Sequence, residues 1–547
     1  MKNILLFFFL TALTLTANTQ SLIEAINKTN NERFPEAIRD FKSLIATSPA
    51  DGLAYYNLGN CYFKKGEVDS AVSIWNKGFD MAPTNHLSLV GKFRALWMNG
   101  DKVGAQAQLT KARELTKGKK LKPLRAEVLR GAAEGYIKSQ TKDLDAALTL
   151  LTEAIEIQPN NEENYLLQGD ALYEQAKKIA QTNNTTLNAS DAIKSYNKVL
   201  DINPKSPRGK LRVANIYQAA DNETEANSIY KEAVAIDSTF APAYRERAEM
   251  LMRFNKMKLA IQDWRKYLAL NNNLEALYRY GSALYVAKEY CEAINVILEV
   301  NKRGIVNLFT ERILAKSYLE CKGVSNGPEL GMAASERFFQ LADTAKDVSY
   351  LDIKTKGDLL MKLGKDSLGI MEWEKATKMN QDIFKELTGD IAKMYFKMKK
   401  YDKAIETYLA RQGVIELTVQ EWFNLGQSYV YGPKNYNEAD TVFAKVSSMS
   451  PSYTPAYFFR ARCKLKLDAN NALWLARPYY AKVLELVTGD ERKKDSNKKM
   501  VIEAAKYLGG YYGASLEKDP AKVKEYFQIV YDLDPNDAQA KQVLGIK

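Results

Sequence analysis

A chain of 547 residues with 46% hydrophobic and 26% charged positions carries enough apolar residues for a continuous packed core, which excludes a disordered chain. Its formal net charge of +12 favours anionic partners, although basic side chains that simply solvate helix surfaces are the preferred account of the excess. One histidine, His86, leaves almost no room for a histidine-dependent triad or a multi-histidine metal site, and four scattered cysteines are too few for a disulfide scaffold.

The first twenty residues stand apart. Lys2 precedes an apolar run from Ile4 to Leu15, followed by Thr16, Ala17 and Asn18. The run is too short to span a bilayer at about 1.5 Å per residue, but it suits the core of a secretory signal peptide over residues 1–20, cleaved between Ala17 and Gln20. The first cysteine is Cys61, so no cysteine stands where a lipoprotein would be acylated. The leader resembles those of Gram-negative exported proteins, and the expected compartment is the periplasm, with association to the outer membrane through partners.

From residue 21 to 547 one pattern recurs. Tyr55, Leu58, Gly59 and Tyr62 are followed by Ala71, Trp75, Gly78 and Pro83, with spacings of three and four that place each group on one helix face. Small residues stand where two helices approach closely, aromatics fill the space beside them, and proline closes the unit. Ala37, Phe41, Leu44 and Pro49 close an earlier unit; Ala133, Tyr136, Ala147 and Leu151 form a later one. The clearest units cover residues 52–85, 207–240, 241–274, 350–383 and 419–452, with enlarged turns near 177–190 and 321–331. Trp75, Trp264, Trp373 and Trp422 fall on core positions of the pattern, and Trp97 and Trp474 do not.

This spacing resembles the tetratricopeptide repeat (TPR) family, whose unit is a helix–turn–helix of about 34 residues. The resemblance implies an all-α, right-handed α-solenoid of about fourteen units with a C-terminal capping helix from Asn536. It also implies a protein that docks partners on an inner face lined by first helices. Projecting that face gives three candidate patches. The first holds Tyr56, Asn60, Phe63, Lys64, Arg94 and Trp97. The second holds Tyr278, Tyr285, Arg312, Lys316 and Lys354, expected to converge on one strip and to be dispensable for packing. The third holds Phe423, Gln427, Tyr431, Phe458, Arg462 and Lys466. Each mixes aromatic surface with cations, a composition suited to acidic or carboxylate-ended segments. Asn60 and Arg94, at equivalent positions of consecutive units, look like part of a clamp for a terminal carboxylate.

Three further features have simple readings. Cys291 and Cys321 fall on one edge of adjacent units, and buried free thiols are expected there ahead of a disulfide. The triplets beginning at Asp69, Asp366 and Asp440 look like glycosylation acceptors of exported bacterial proteins, but capping of a helix start is expected instead. Basic clusters at Lys117–Lys122 and Arg492–Lys499 lie in inter-helix turns. The chain contains no phosphate-binding glycine loop, no zinc-type cysteine spacing and no recognisable nucleic-acid module, so no cofactor and no catalysis are expected. The leading expectation is a non-catalytic scaffold in an envelope, secretion or outer-membrane complex. Recognition of an anionic polymer or membrane surface, and an enzyme subunit acting on envelope glycan or peptide, are the competing classes.

Overall fold

The computed structural model describes residues 20–343 and 346–546, and all regular structure among them is helical. The signal peptide expected at the N-terminus lies outside the described residues. Two compact units divide the chain at Val306 and Asn307.

The first unit contains α1 (residues 20–30), α2 (Phe34–Thr47), α3 (Gly52–Lys65), α4 (Val68–Met81), α5 (His86–Met98), α6 (Lys102–Leu115), α7 (Lys122–Lys138) and α8 (Leu144–Ile157). It continues with α9 (Glu162–Asn183), α10 (Ser190–Ile202), α11 (Pro207–Ala219), α12 (Glu223–Ile236), α13 (Ala241–Arg253), α14 (Met257–Leu270), α15 (Leu274–Val286) and α16 (Tyr290–Lys302). The second unit holds α17 (Leu308–Glu320), α18 (Gly327–Leu341), α19 (Tyr350–Lys362), α20 (Asp366–Met379), α21 (Gln381–Lys397), α22 (Tyr401–Gln412) and α23 (Val419–Tyr431). It ends with α24 (Tyr436–Met449), α25 (Thr454–Leu467), α26 (Arg477–Leu486), α27 (Asp495–Ala514), α28 (Pro520–Leu533) and the short α29 (Ala538–Leu544) that caps the array.

Several helices start where the sequence supplies a cap. Asp51 accepts from the Leu53 and Ala54 amides, Asn85 from Leu87 and Ser88, and Asn161 from Glu163, satisfying donors that a helix start leaves orphaned. Gly66 ends α3 at φ +91, a left-handed conformation that costs glycine nothing.

Consecutive helices pack in pairs through a small-to-large fit. A Cβ on Gly59 would lie 2.2 Å from Trp75 Nε1, so the glycine is what lets α3 and α4 close over the indole. The same fit joins Gly169 to Tyr196 at 2.3 Å, Gly357 to Trp373 at 2.4 Å and Gly426 to Phe443 at 2.7 Å. A methyl at any of them would force the ring out of place at a cost of about 1–3 kcal/mol. Trp75 and Trp264 are fully buried, while Trp373 and Trp422 pack half-buried against the core. Trp97, unassigned by the repeat pattern, is also core: it stacks edge-on against Tyr136 at 4.6 Å and donates from Nε1 to Ser139 Oγ at 3.1 Å.

The first unit closes on itself. The turn after α1 seats against α13 and α14, where Arg245 and Tyr267 both donate to Glu32 and Asn271 Nδ2 donates to the Asn31 carbonyl at 2.9 Å. The first helices of the pairs therefore surround an interior.

Several local expectations are corrected. None of the three Asp-Ser/Thr triplets caps a helix. Asp69 and Asp366 lie in the first turns of α4 and α20, whose cap positions Glu67 and Lys365 make no side-chain cap bond, and Asp440 lies inside α24, ion-paired to Arg460 and Lys464. Cys291 and Cys321 are disulfide-bonded rather than free, whereas Cys61 and Cys463 are buried free thiols. The enlargement near 177–190 is mainly an extension of α9, and that near 321–331 is a loop before Pro328 in the first turn of α18. Among the described residues no helix is long and apolar enough to cross a membrane.

Candidate functional site

The interior of the first unit is a cavity of about 290 Å³ walled by the first helices of its pairs. Apolar walls come from Phe34, Phe63, Leu166, Leu211 and Phe240, between which charged side chains project from α3, α7, α9, α11 and α13. These charges are organised. Arg208 makes a forked contact with Glu163, at 2.6 and 3.1 Å. Asp170 receives Arg212 Nε at 2.8 Å, Lys138 Nζ at 2.9 Å and the Tyr196 hydroxyl at 2.8 Å. Arg94, wholly buried behind the wall, donates to Glu134 Oε2 and to Asn60 Oδ1, both at 2.9 Å. On the facing side Arg245 holds Glu32 and Glu246, at 2.9 and 2.8 Å.

The electrostatics follow from this pairing. Burial pulls the Glu163 carboxyl up, but Arg208, aided by Lys64, overrides it and holds the group at about 2. Burial likewise raises Asp170, and Arg212 and Lys138 bring it below the ordinary carboxylate range. Lys64 moves the other way: burial depresses its ammonium, with Glu134 and Glu163 only partly restoring it against Arg208 and Arg212. Lys64 Nζ donates to Asn30 Oδ1 at 3.0 Å and has no carboxylate partner among the described residues.

Only part of the first patch expected from sequence opens onto this cavity. Phe63 and Lys64 line it. Tyr56 and Trp97 are each 7% exposed and Arg94 1%, so all three are packing groups and not contact residues. The Arg94 guanidinium lies 4.6 Å from the Trp75 ring centroid and 5.3 Å from that of Phe63, sealed away from any clamp with the half-buried Asn60. The helix is right, but Arg94 turns inward because Glu134, forty positions away, neutralises it there.

The second patch is also corrected. Tyr278 and Tyr285 are half-buried on α15 of the first unit, Tyr285 edge-on to Tyr290. Arg312, Lys316 and Lys354 belong to the second unit, and each has an intramolecular anion: Arg312 forks onto the buried Asp352 at 2.7 and 3.0 Å, Lys316 pairs with Glu320 at 2.7 Å, and Lys354 with Asp358 at 2.9 Å. Arg312 further lies 4.9 Å from the Phe338 ring centroid, so it is a structural group and not a dispensable one.

In the third patch Phe423 and Phe458 are core residues. Gln427 is half-buried, and Tyr431, Arg462 and Lys466 are exposed; Arg462 pairs with Glu503 at 3.3 Å. Nearby, Leu473, Trp474, Leu516 and Tyr511 border an open groove of about 1130 Å³ in the second unit, with Arg477 4.3 Å from the Tyr511 ring centroid.

The cavity carboxylates Glu32, Glu134, Glu163 and Asp170, and their partners Arg208, Arg212 and Arg245, were not among the sequence candidates. Their signal was available as charged residues on first helices off the packing face, such as Arg212 and Glu246 at one repeat's spacing. It was diluted because opposite signs alternate and the cations alone drew attention.

Paired helices in series, joined by a glycine–aromatic fit and enclosing a charged interior, define an all-α repeat protein. A tetratricopeptide repeat family model matches residues 24–86 and a second matches residues 133–161. The chain is a tetratricopeptide repeat protein, and repeats of this family bind partner proteins. It is similar to the C-terminal part of a TPR repeat-containing protein from Cytophaga hutchinsonii, with 26% identity, a TM-score of 0.37 and coverage of 49% of this chain and 99% of that one. It is also similar to the human IFIT1 dimer solved with PPP-AAAA, at 17% identity and a TM-score of 0.32 over 77% of this chain and 95% of that one. A human protein O-mannosyl-transferase, TMTC3, is 24% identical over 293 residues, which is 50% of this chain and 30% of that protein. The chain thus spans less than a third of that relative's length.

Proposed function

We propose that this protein is an exported, non-catalytic scaffold that docks partner proteins within a cell-envelope, secretion or outer-membrane complex. The observation that carries the docking role is the serial array of repeat pairs, whose first helices in the first unit turn charged and apolar side chains into a common interior. Export is supported by the leader from Lys2 to Gln20 and by the disulfide-bonded state of Cys291 and Cys321, which persists in oxidising compartments.

Crosslinking in intact cells followed by mass spectrometry tests the docking role. Specific envelope proteins joined to inner-face residues such as Lys64 or Lys138 are the expected outcome; a chain that crosslinks to no partner counts against it. Fractionation and N-terminal sequencing test the compartment, with a mature terminus between residues 18 and 20 expected and an intact Met1 in the cytoplasm counting against export.

A further inference from the structure

We infer that the cavity of the first unit binds a small organic acid, a single carboxylate on an apolar body, with Lys64 as its counter-ion. The inference goes beyond the docking role, which rests on the helix-pair array and would survive its failure.

Charge balance is the first argument. On this wall Arg94, Lys64, Lys138, Arg208 and Arg212 are matched by Glu134, Glu163 and Asp170, while Glu32 and Glu246 across the cavity are held by Arg245. Glu134 is taken by Arg94, Glu163 by both nitrogens of the Arg208 fork, and Asp170 is shared by Lys138 and Arg212. Lys64 is left with one neutral acceptor, the Asn30 amide oxygen. Its ammonium is exposed to the cavity yet surrounded by protein that depresses its protonation, so an arriving carboxylate would supply the partner that folding withheld.

The chemistry of the ligand follows from what is left free. The guanidinium forks that would grip a phosphate are occupied by the protein's own carboxylates, which leaves one compact ammonium suited to one anionic group. Phe34, Phe63, Leu211 and Phe240 offer apolar surface beside it. A volume of about 290 Å³ lies just below the range for small-molecule sites, about 300–1,000 Å³, and so suits a small ligand.

The test is calorimetric titration of the full mature chain with 3-phenylpropanoate, its neutral amide, inorganic phosphate, and a tetrapeptide with a free C-terminus. The acid should bind at one site while the amide and phosphate do not. Lys64→Gln and Lys64→Met should weaken the acid about tenfold or more, and Lys64→Arg should retain it. Equal binding of acid and amide, affinity unchanged in both Lys64 variants, or no binding of the acid would overturn the inference. Binding of the peptide but not of the acid would overturn it as well. The comparison of acid with amide on the unmodified chain needs no variant to fold.

Discussion

Arg245 donates to both carboxylate oxygens of Glu32, from Nη2 at 2.9 Å and Nε at 3.1 Å, although 213 positions separate them in the chain. The contact forms because the pairs between them carry the chain around a turn that returns to its start. The Tyr267 hydroxyl donates to the same carboxylate at 2.9 Å, so Glu32 is held from two helices. Glu32 itself sits at φ +60, a left-handed conformation that costs a non-glycine residue about 1 kcal/mol or more. The closed interior is thus maintained by a residue under local strain.

Replacing Glu32 by Ala should therefore loosen the closure without unfolding the array. We expect a loss of about 1–3 kcal/mol and faster amide exchange confined to residues 20–34, α13 and α14. Glu32→Gly should lose less, because it relieves the backbone strain. Exchange that accelerates uniformly across the first unit would show that closure and core stability are one event.

Arg94 and Lys64 should separate cleanly in urea unfolding. Arg94→Ala removes a fully buried cation and strands Glu134, a change expected to cost about 3–5 kcal/mol. Lys64→Ala removes an exposed ammonium that donates to Asn30 Oδ1 and has no carboxylate partner among the described residues, and should stay within about 0.5 kcal/mol. Similar costs at both positions would contradict the burial assigned to them.

In the second unit Arg312→Ala should destabilise by about 2–4 kcal/mol, because Asp352 is buried and loses a forked partner. Lys316→Ala breaks only an exposed pair with Glu320 and should cost less than about 1 kcal/mol. Chemical denaturation of the two single variants distinguishes them. A negligible loss at Arg312 would return it to the pool of contact residues.

Acid should weaken the first unit through Glu163. Its folded-state carboxyl titrates at about 2 and its ordinary value is 4.5, so the unfolded chain takes up the proton first as pH falls. The stabilisation is complete above about 4.5 and is lost on the way down to about 2. Glu163→Gln should flatten the dependence of stability on pH across that window, and an unchanged slope would locate the acid sensitivity elsewhere.

Thiol titration checks the cysteine assignment. Burial pushes the Cys463 thiol up to about 12, and Cys61 is also raised by burial, so the native chain should be inert to a thiol reagent at pH 8. Denatured without reductant, it should release two equivalents, from Cys61 and Cys463. Four equivalents would remove the support that the disulfide-bonded cysteines lend to export.

The pairing of helices was legible because it is local. Gly59 and Trp75, or Gly426 and Phe443, lie within one unit, and residue size at a fixed spacing states which two surfaces must meet. The caps were less legible: the triplets at Asp69, Asp366 and Asp440 read as helix starts, yet the chain enters each helix at an earlier residue.

The contact faces were not legible to the same depth. Arg94 and Lys64 occupy one face of comparable helices, yet one is sealed and the other open, and the difference is made by Glu134, forty positions past Arg94. Likewise Arg312 reads as a surface cation until Asp352 is brought against it. The sequence by itself determined the repeat, the helix pairs and their small-to-large packing. Only the tertiary structure decided which charges neutralise one another and where the first unit closes. The reason is physical: the closure from Glu32 to Arg245 depends on small rotations summed over successive pairs, and an ion pair depends on distances that no single unit encodes.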